Sequence, residues 1–170
     1  MEVDPSIAQT MEGCMKINLQ EVRDFISHAS RESKIYLGAD SVRYRDKGVW
    51  YAEYTLAVVI HIDGNKGCKI FGDVQRERDY DLRKDKPAMR LMNEVMKIAE
   101  LYGKLEDCLH DRYVEIHLDL NESELHGSNC VLQQAIGYIK GTCGGIIPMV
   151  KPNAPAASFC ADRLTELLAA

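Results

Sequence analysis

Apolar positions recur along this chain with two spacings, three to four residues and two residues, and the alternation between them predicts its elements. Asn18 stands where a helix cap belongs, with Glu21 three residues on as in a capping box. Leu19, Val22, Phe25 and Ile26 then share one helical face, and this helix is expected to end near Ser30. Lys34 to Asp40 is nearly all apolar and reads as a strand buried on both sides. Asp46-Lys47-Gly48 is a turn, and Val49 to Ile62 is a long strand rich in Val, Ile, Tyr and Thr. Asp63-Gly64-Asn65 is a hairpin signal, followed by a third strand from Cys68 to Val74. Pro87 suits a first helical turn, and Ala88, Leu91, Met92, Val95, Ile98, Ala99 and Tyr102 form one apolar stripe that predicts a helix to about Lys104. Tyr113 to Leu120 alternates strictly, with Val114, Ile116, Leu118 and Leu120 on one face and Tyr113, Glu115, His117 and Asp119 on the other. Ser128 or Asn129 is placed to cap a helix that buries Val131, Leu132, Ala135, Ile136 and Ile139. Gly144-Gly145 leads into a short strand from Ile146 to Val150, and Pro155 opens a final helix to about Leu168.

Three consecutive strands joined by short turns imply an antiparallel meander, and the later strand–helix–strand order implies parallel pairing with right-handed crossovers. The expected architecture is α/β: a mixed five-stranded sheet, three antiparallel strands and then two parallel, with helices on both faces and an extra N-terminal helix. Residues 1–17 show no periodicity and are expected to form a flexible N-terminal tail, which leaves 18–170 as a single domain.

Composition narrows the class. A chain of 170 residues hides roughly 70% of its unfolded surface on folding, so it needs no disulfide or metal staple. Apolar residues are 46% and charged residues 28%, which excludes disordered and fibrous proteins. The longest wholly apolar run, Leu56 to Ile60, is far below the roughly 20 residues of a bilayer span, so no membrane partner is expected. Met1-Glu2-Val3-Asp4 lacks the basic and apolar blocks of a signal peptide, and the six cysteines form no C-x-x-C pair; reduced thiols in a cytoplasm are expected. The net charge of −5 argues against gripping nucleic acid by bulk attraction. The charge is unevenly spread, however. Residues 76–90 carry six bases against four acids, and residues 106–124 carry seven acids with Arg112 as the single base. The segment 75–90 is the candidate for tracking phosphates, and its acids equally suit a solvated loop.

The chemistry worth pursuing lies in the carboxylates. Asp40 falls at the end of the most apolar strand, where a carboxylate is costly unless paired, hydrogen-bonded or metal-bound. Taken alone, it reads first as the cap of the following turn, since Asp-Ser is a good turn pair. Asp119 also falls at the end of an apolar strand, followed by Asn121. If the two strands are parallel neighbours, both carboxylates emerge at one sheet edge. Their repulsion would be relieved by a hard divalent cation, for which carboxylate oxygen is the preferred ligand. Glu94, on the border of the helical stripe, could supply a third oxygen, or be a solvated flank residue. Asp162 could supply a fourth, or form a surface ion pair with Arg163. None of the five histidines has H-x-x-x-H spacing. His117 shares a face with Asp119, and His126 lies in a loop beside Gly127, where a proton-shuttling role is conceivable.

The strand I-Y-L-G-A-D-S (35–41), the strand end H-L-D-L-N (117–121), the Gly137-Tyr138 pair and K-P-N-A-P-A-A-S-F-C-A-D-R (151–163) together resemble the YkuK-like family of ribonuclease H-like proteins. The resemblance spans about residues 18 to 168, and the last motif is its most specific part. Pro155 departs from the family pattern, which has an aromatic residue there. The resemblance implies a ribonuclease H-like fold and a metal-dependent nuclease that hydrolyses phosphodiester bonds of RNA, DNA or an RNA–DNA hybrid. It implies two Mg²⁺ or Mn²⁺ ions, with Asp40 binding both, Glu94 and Asp119 holding one and Asp162 the other. Around them, Ser41, Arg43, Asn121 and Lys151 are candidates for binding substrate. Lys151 is equally readable as an exposed strand-end lysine, and Arg43 and Arg45 as charges that blunt an edge hairpin. The rival expectation is a catalytically weak or inactive ribonuclease H-like module that binds a protein or nucleic-acid partner, or a second copy of itself. A third, an actin-like phosphotransferase, would need paired glycine-rich loops that this chain lacks.

Overall fold

The computed structural model describes residues 16–81 and 87–154. Helix α1 (Leu19–His28) starts where the sequence puts its cap: Asn18 Oδ1 accepts hydrogen bonds from the amides of Gln20 and Glu21 at 3.1 and 3.2 Å. The reciprocal half of the capping box is replaced, because Glu21 turns its carboxylate toward Lys69, 4.0 Å away. At the other end of α1 the Arg112 guanidinium donates to the carbonyls of Ile26, Ala29 and Ser30, groups that a helix terminus leaves without partners.

Strands β1 (Lys34–Asp46) and β2 (Val49–His61) form an antiparallel hairpin. Its turn has positive φ at both Lys47 (47°) and Gly48 (85°), the backbone twist that two-residue hairpin loops need. β1 therefore runs six residues past Asp40, where the sequence ended it, because β2 continues to pair with it. The hairpin signal at Asp63-Gly64-Asn65 joins β2 to its antiparallel partner β3 (Cys68–Arg78), with positive φ at both Asp63 (49°) and Gly64 (74°). β3 is longer than its apolar stretch, since Gln75 to Arg78 keep pairing with β2.

Helix α2 (Ala88–Leu109) follows Pro87 and continues beyond Lys104, where Leu105 and Leu109 prolong the buried stripe. β4 (Tyr113–Asn121) pairs parallel to β1, and after a 3₁₀ turn (Gly127–Val131) and helix α3 (Leu132–Thr142) the short β5 (Met149–Lys151) pairs parallel to β4. The sheet order is β3-β2-β1-β4-β5, three antiparallel strands followed by two parallel ones. One face of the sheet, with Ile35, Leu37 and Ala39 of β1, Leu56, Val58 and Ile60 of β2 and Ile116, Leu118 and Leu120 of β4, forms a single core with all three described helices. Residues 1–15 of the expected tail, the final helix and Asp162 lie outside the described residues, while Ile17, also assigned to the tail, packs against the core. Among the described residues, no helix is long and apolar enough to cross a membrane.

Ser128 and Asn129 do not cap α3. Ser128 Oγ accepts from the Asn121 amide at 3.1 Å, and Asn129 donates to the carbonyls of Asn121 (3.3 Å) and Glu122 (2.9 Å). Their side chains satisfy the end of β4, where the ladder to β5 is irregular and would otherwise leave backbone groups without partners.

Candidate carboxylate site

The site begins with register. Parallel pairing of β1 with β4 runs from Lys34↔Tyr113 to Ala39↔Leu118 and stops there. Asp40 and Asp119 are the next residues on their strands. Each lies one residue past the last paired rung, at the point where β1 leaves β4 and follows β2 alone. Asp119 also lies inside the irregular stretch between His117↔Met149 and Asn121↔Lys151, so neither neighbour holds it in a regular ladder. Irregular strand ends of this kind re-aim side chains, and they lie where sites form beyond the carboxyl ends of parallel strands.

Glu94 approaches from the helical side. Its side chain on α2 is 1% exposed, so the border position read from the helical wheel is in fact buried. Ser41 Oγ donates to Glu94 Oε2 at 2.8 Å, and Arg90 Nη1 donates to Ser41 Oγ and to the Ser41 carbonyl, both at 2.7 Å. Asp40 Oδ1 accepts from the Ser41 amide at 2.8 Å. Ser41 thus joins the strand carboxylate, the helix carboxylate and an arginine in one connected set. Burial pushes the Glu94 carboxyl from its ordinary 4.5 up to about 8; the charges of Asp40 and Asp119 push the same way, and the Ser41 hydroxyl and Arg90 only partly offset them. At neutral pH, despite the nearby Arg90, Glu94 is therefore mostly protonated.

These groups surround a depression of about 430 Å³, lined by Asp40, Ser41, Arg90, Glu94, Asp119, Asn121, His126 and Lys151 among others. Six of the eight candidate site residues meet here: Asp40, Glu94, Asp119, Ser41, Asn121 and Lys151. Lys151 forms an ion pair with Asp119 Oδ1, and its side chain stays about half exposed. Arg43 stands apart. Its Nε pairs with Asp79 at 2.6 Å, its Nη2 donates to the Asp81 carbonyl at 2.7 Å, and its guanidinium lies 4.4 Å from the centre of the Trp50 ring.

The Arg43 contacts serve the site indirectly. Asp79 Oδ1 accepts from the Asp81 amide at 2.9 Å, and the Asp81 carboxylate accepts from the Met89 and Arg90 amides at 3.0 and 2.8 Å. A carboxylate from outside the helix thereby caps the first turn of α2, which carries Arg90 and, one turn on, Glu94. The sequence reading missed Arg90 and Asp81. The four-residue spacing of Arg90 and Glu94 was a legible signal, since it places both on one helical face. Nothing local marks Asp81 as a cap, because it stands seven residues before the helix begins.

All three carboxylates offer hard oxygen donors, the chemistry that suits Mg²⁺ or Mn²⁺, and the charges of Asp40 and Asp119 add to the burial that raises the pKa of Glu94. Among the described residues, no three acidic, histidine or cysteine side chains are spaced to enclose an ion. Mg²⁺ does not require such a cage, since it is commonly held by one or two carboxylates together with water and substrate phosphate.

Comparison with curated proteins and with solved structures gives no match. The family described as Ribonuclease H-like matches residues 18–166, nearly the whole length of the chain. Over that span the mixed sheet has the strand arrangement expected of the fold, and on these grounds the chain belongs to the ribonuclease H-like family.

Proposed function

We propose that this protein is a metal-dependent nuclease that hydrolyses phosphodiester bonds at the cavity between the ends of β1 and β4. The observation that carries the reading is that Asp40 and Asp119, each one residue past the last β1–β4 rung, line one cavity with the buried Glu94, on which the charges of both act. Close carboxylates on separate elements repel, and packing alone gives no reason to assemble them. Asp40, Asp119 and Glu94 would hold Mg²⁺ or Mn²⁺, which when bound supplies charge stabilisation at the scissile phosphate and lowers the pKa of a coordinated water. Asp162 is the proposed fourth ligand. The chain's own part is positional. Ser41 holds Glu94 through its hydroxyl and Asp40 through its amide, and Arg90 holds Ser41. Asn121 and Lys151 sit at the rim, where a substrate phosphate would arrive. RNA, DNA and RNA–DNA hybrid are all candidate substrates.

One observation favours a second reading, a module that binds a partner without cleaving it. The Lys151 ammonium already neutralises Asp119, and a cation would have to displace it. A titration of Mn²⁺ against labelled RNA, DNA and hybrid, comparing the natural protein with Asp40→Asn, separates the two. The nuclease reading expects metal-dependent cleavage that Asp40→Asn reduces by a hundredfold or more, on the order of 3 kcal/mol of lost transition-state stabilisation. Equal cleavage by both proteins would remove the site assignment. Absence of cleavage together with no calorimetric Mn²⁺ binding would leave the binding module.

A further inference from the structure

Beyond Asp40, β1 no longer pairs with β4, and its outer half continues with β2 and the end of β3 as a ribbon. Strand alternation puts Val42 and Tyr44 on the same face as Asp40. The paired registers add Tyr51 opposite Tyr44, Arg78 opposite Tyr51 and Arg76 opposite Glu53. The Tyr44 and Tyr51 rings lie 5.9 Å apart and only 24° from parallel. The Arg76 guanidinium sits 4.9 Å and 4.5 Å from their centres. Val42 is 51% exposed and Tyr80, beneath the Arg78 guanidinium, is 61% exposed.

We infer that this face binds an unpaired nucleic-acid strand and leads it to the carboxylate cavity, an inference that rests on the nuclease reading for its substrate class. Tyr44 lies four residues from Asp40 along one strand, about 13 Å away at 3.3 Å per residue. The aromatic surface is therefore continuous with the site. Arginine stacked on tyrosine presents a planar cation outward, a surface on which exposed bases stack. The charge balance selects against a duplex. Asp46, 3.1 Å from Arg76, and Glu53 lie among these arginines, and the chain carries a net −5, so binding through phosphates alone would be weak. Stacking does not depend on net charge, but it requires bases freed from a helix.

The test is fluorescence anisotropy in EDTA with labelled single-stranded DNA, single-stranded RNA and duplexes of the same sequence. Single strands are expected to bind more tightly than duplexes, and the DNA and RNA arms show which sugar is preferred. Contacts from Arg76 and Arg78 to about two phosphates give a shallow salt slope, roughly −1.4 in log K against log salt. The double variant Tyr44→Leu/Tyr51→Leu keeps apolar bulk without the π faces and is expected to bind roughly tenfold more weakly, the effect of one lost base stack. Tyr44→Phe/Tyr51→Phe keeps the rings and is expected to bind as the natural protein does, which separates loss of stacking from loss of folding. Wild-type affinity in the Leu pair, equal affinity for duplex and single strand, or no binding of any oligonucleotide would each overturn the inference; the last would assign the face to a protein partner. A Mn²⁺ cleavage arm keeps the two readings apart. Cleavage that is intact in the Leu pair, with unaltered binding, would sink the ribbon and spare the nuclease. Ring-dependent binding without cleavage by any form would do the reverse.

Discussion

Replacing Glu94 with glutamine tests the electrostatics of the cavity without any substrate. The side chain is 1% exposed, and its carboxyl ionises near pH 8 instead of 4.5, chiefly because burial penalises the charged form. A folded pKa above the unfolded one means that the folded protein holds the proton more tightly. The resulting stability is complete below about pH 4.5 and is lost as pH rises through about 8. The full span is about 5 kcal/mol at 1.36 kcal/mol per pKa unit. Between pH 5 and pH 7 the loss is about 2.5 kcal/mol. At 2–4 °C per kcal/mol for a domain of this size, that is roughly 5–10 °C in Tm. Glu94→Gln cannot ionise and should lack this component, although its amide leaves an extra donor to satisfy and lowers stability at acid pH. Thermal unfolding followed by circular dichroism in EDTA, at half-unit steps from pH 5 to pH 8, reads the difference between the two profiles. The natural protein should fall with rising pH more steeply than the variant, by the amount just given. Parallel profiles would mean that Glu94 is solvated and ionised throughout, and the reading of Glu94 as a buried carboxyl would fall.

Two further substitutions probe the supports of the site. Asp81→Ala removes the carboxylate that accepts from the Met89 and Arg90 amides and should cost about 1–2 kcal/mol, seen as a lower urea midpoint at unchanged slope; an unmoved midpoint would show that α2 starts without this cap. Lys151→Met removes the ammonium paired with Asp119. Because Lys151 is half exposed, stability should change by less than about 1 kcal/mol, while calorimetric Mn²⁺ affinity should rise several-fold, and weaker Mn²⁺ binding would mean that the lysine supports the site and does not compete for it.

The elements that the sequence announced are those that short-range physics dictates. The Asn18 cap, the α2 stripe from Ala88 to Tyr102 and the Tyr113–Leu120 alternation all appear as read, because capping and periodic burial act within a few residues. Errors gathered where a partner from elsewhere in the chain decided the outcome. β1 ran on to Asp46 because β2 was beside it, and Ser128 and Asn129 turned to the end of β4 because backbone groups there needed partners. The contacts of Arg43 with Asp79 and Trp50 likewise come from pairing that no local pattern encodes.

The sequence by itself determined that Asp40 and Asp119 would each close an apolar stretch of strand and that Glu94 would ride on an amphipathic helix, since periodicity fixes which face a residue takes. Only the tertiary structure decided that the two aspartates meet in one cavity just past the last β1–β4 rung, that Glu94 is buried behind Ser41 and that Lys151 has settled on Asp119. Face is a property of one segment's backbone period. Rung, depth and ionic partner are set by the packing of segments far apart in the chain, where burial, charge and hydrogen bonding are settled together.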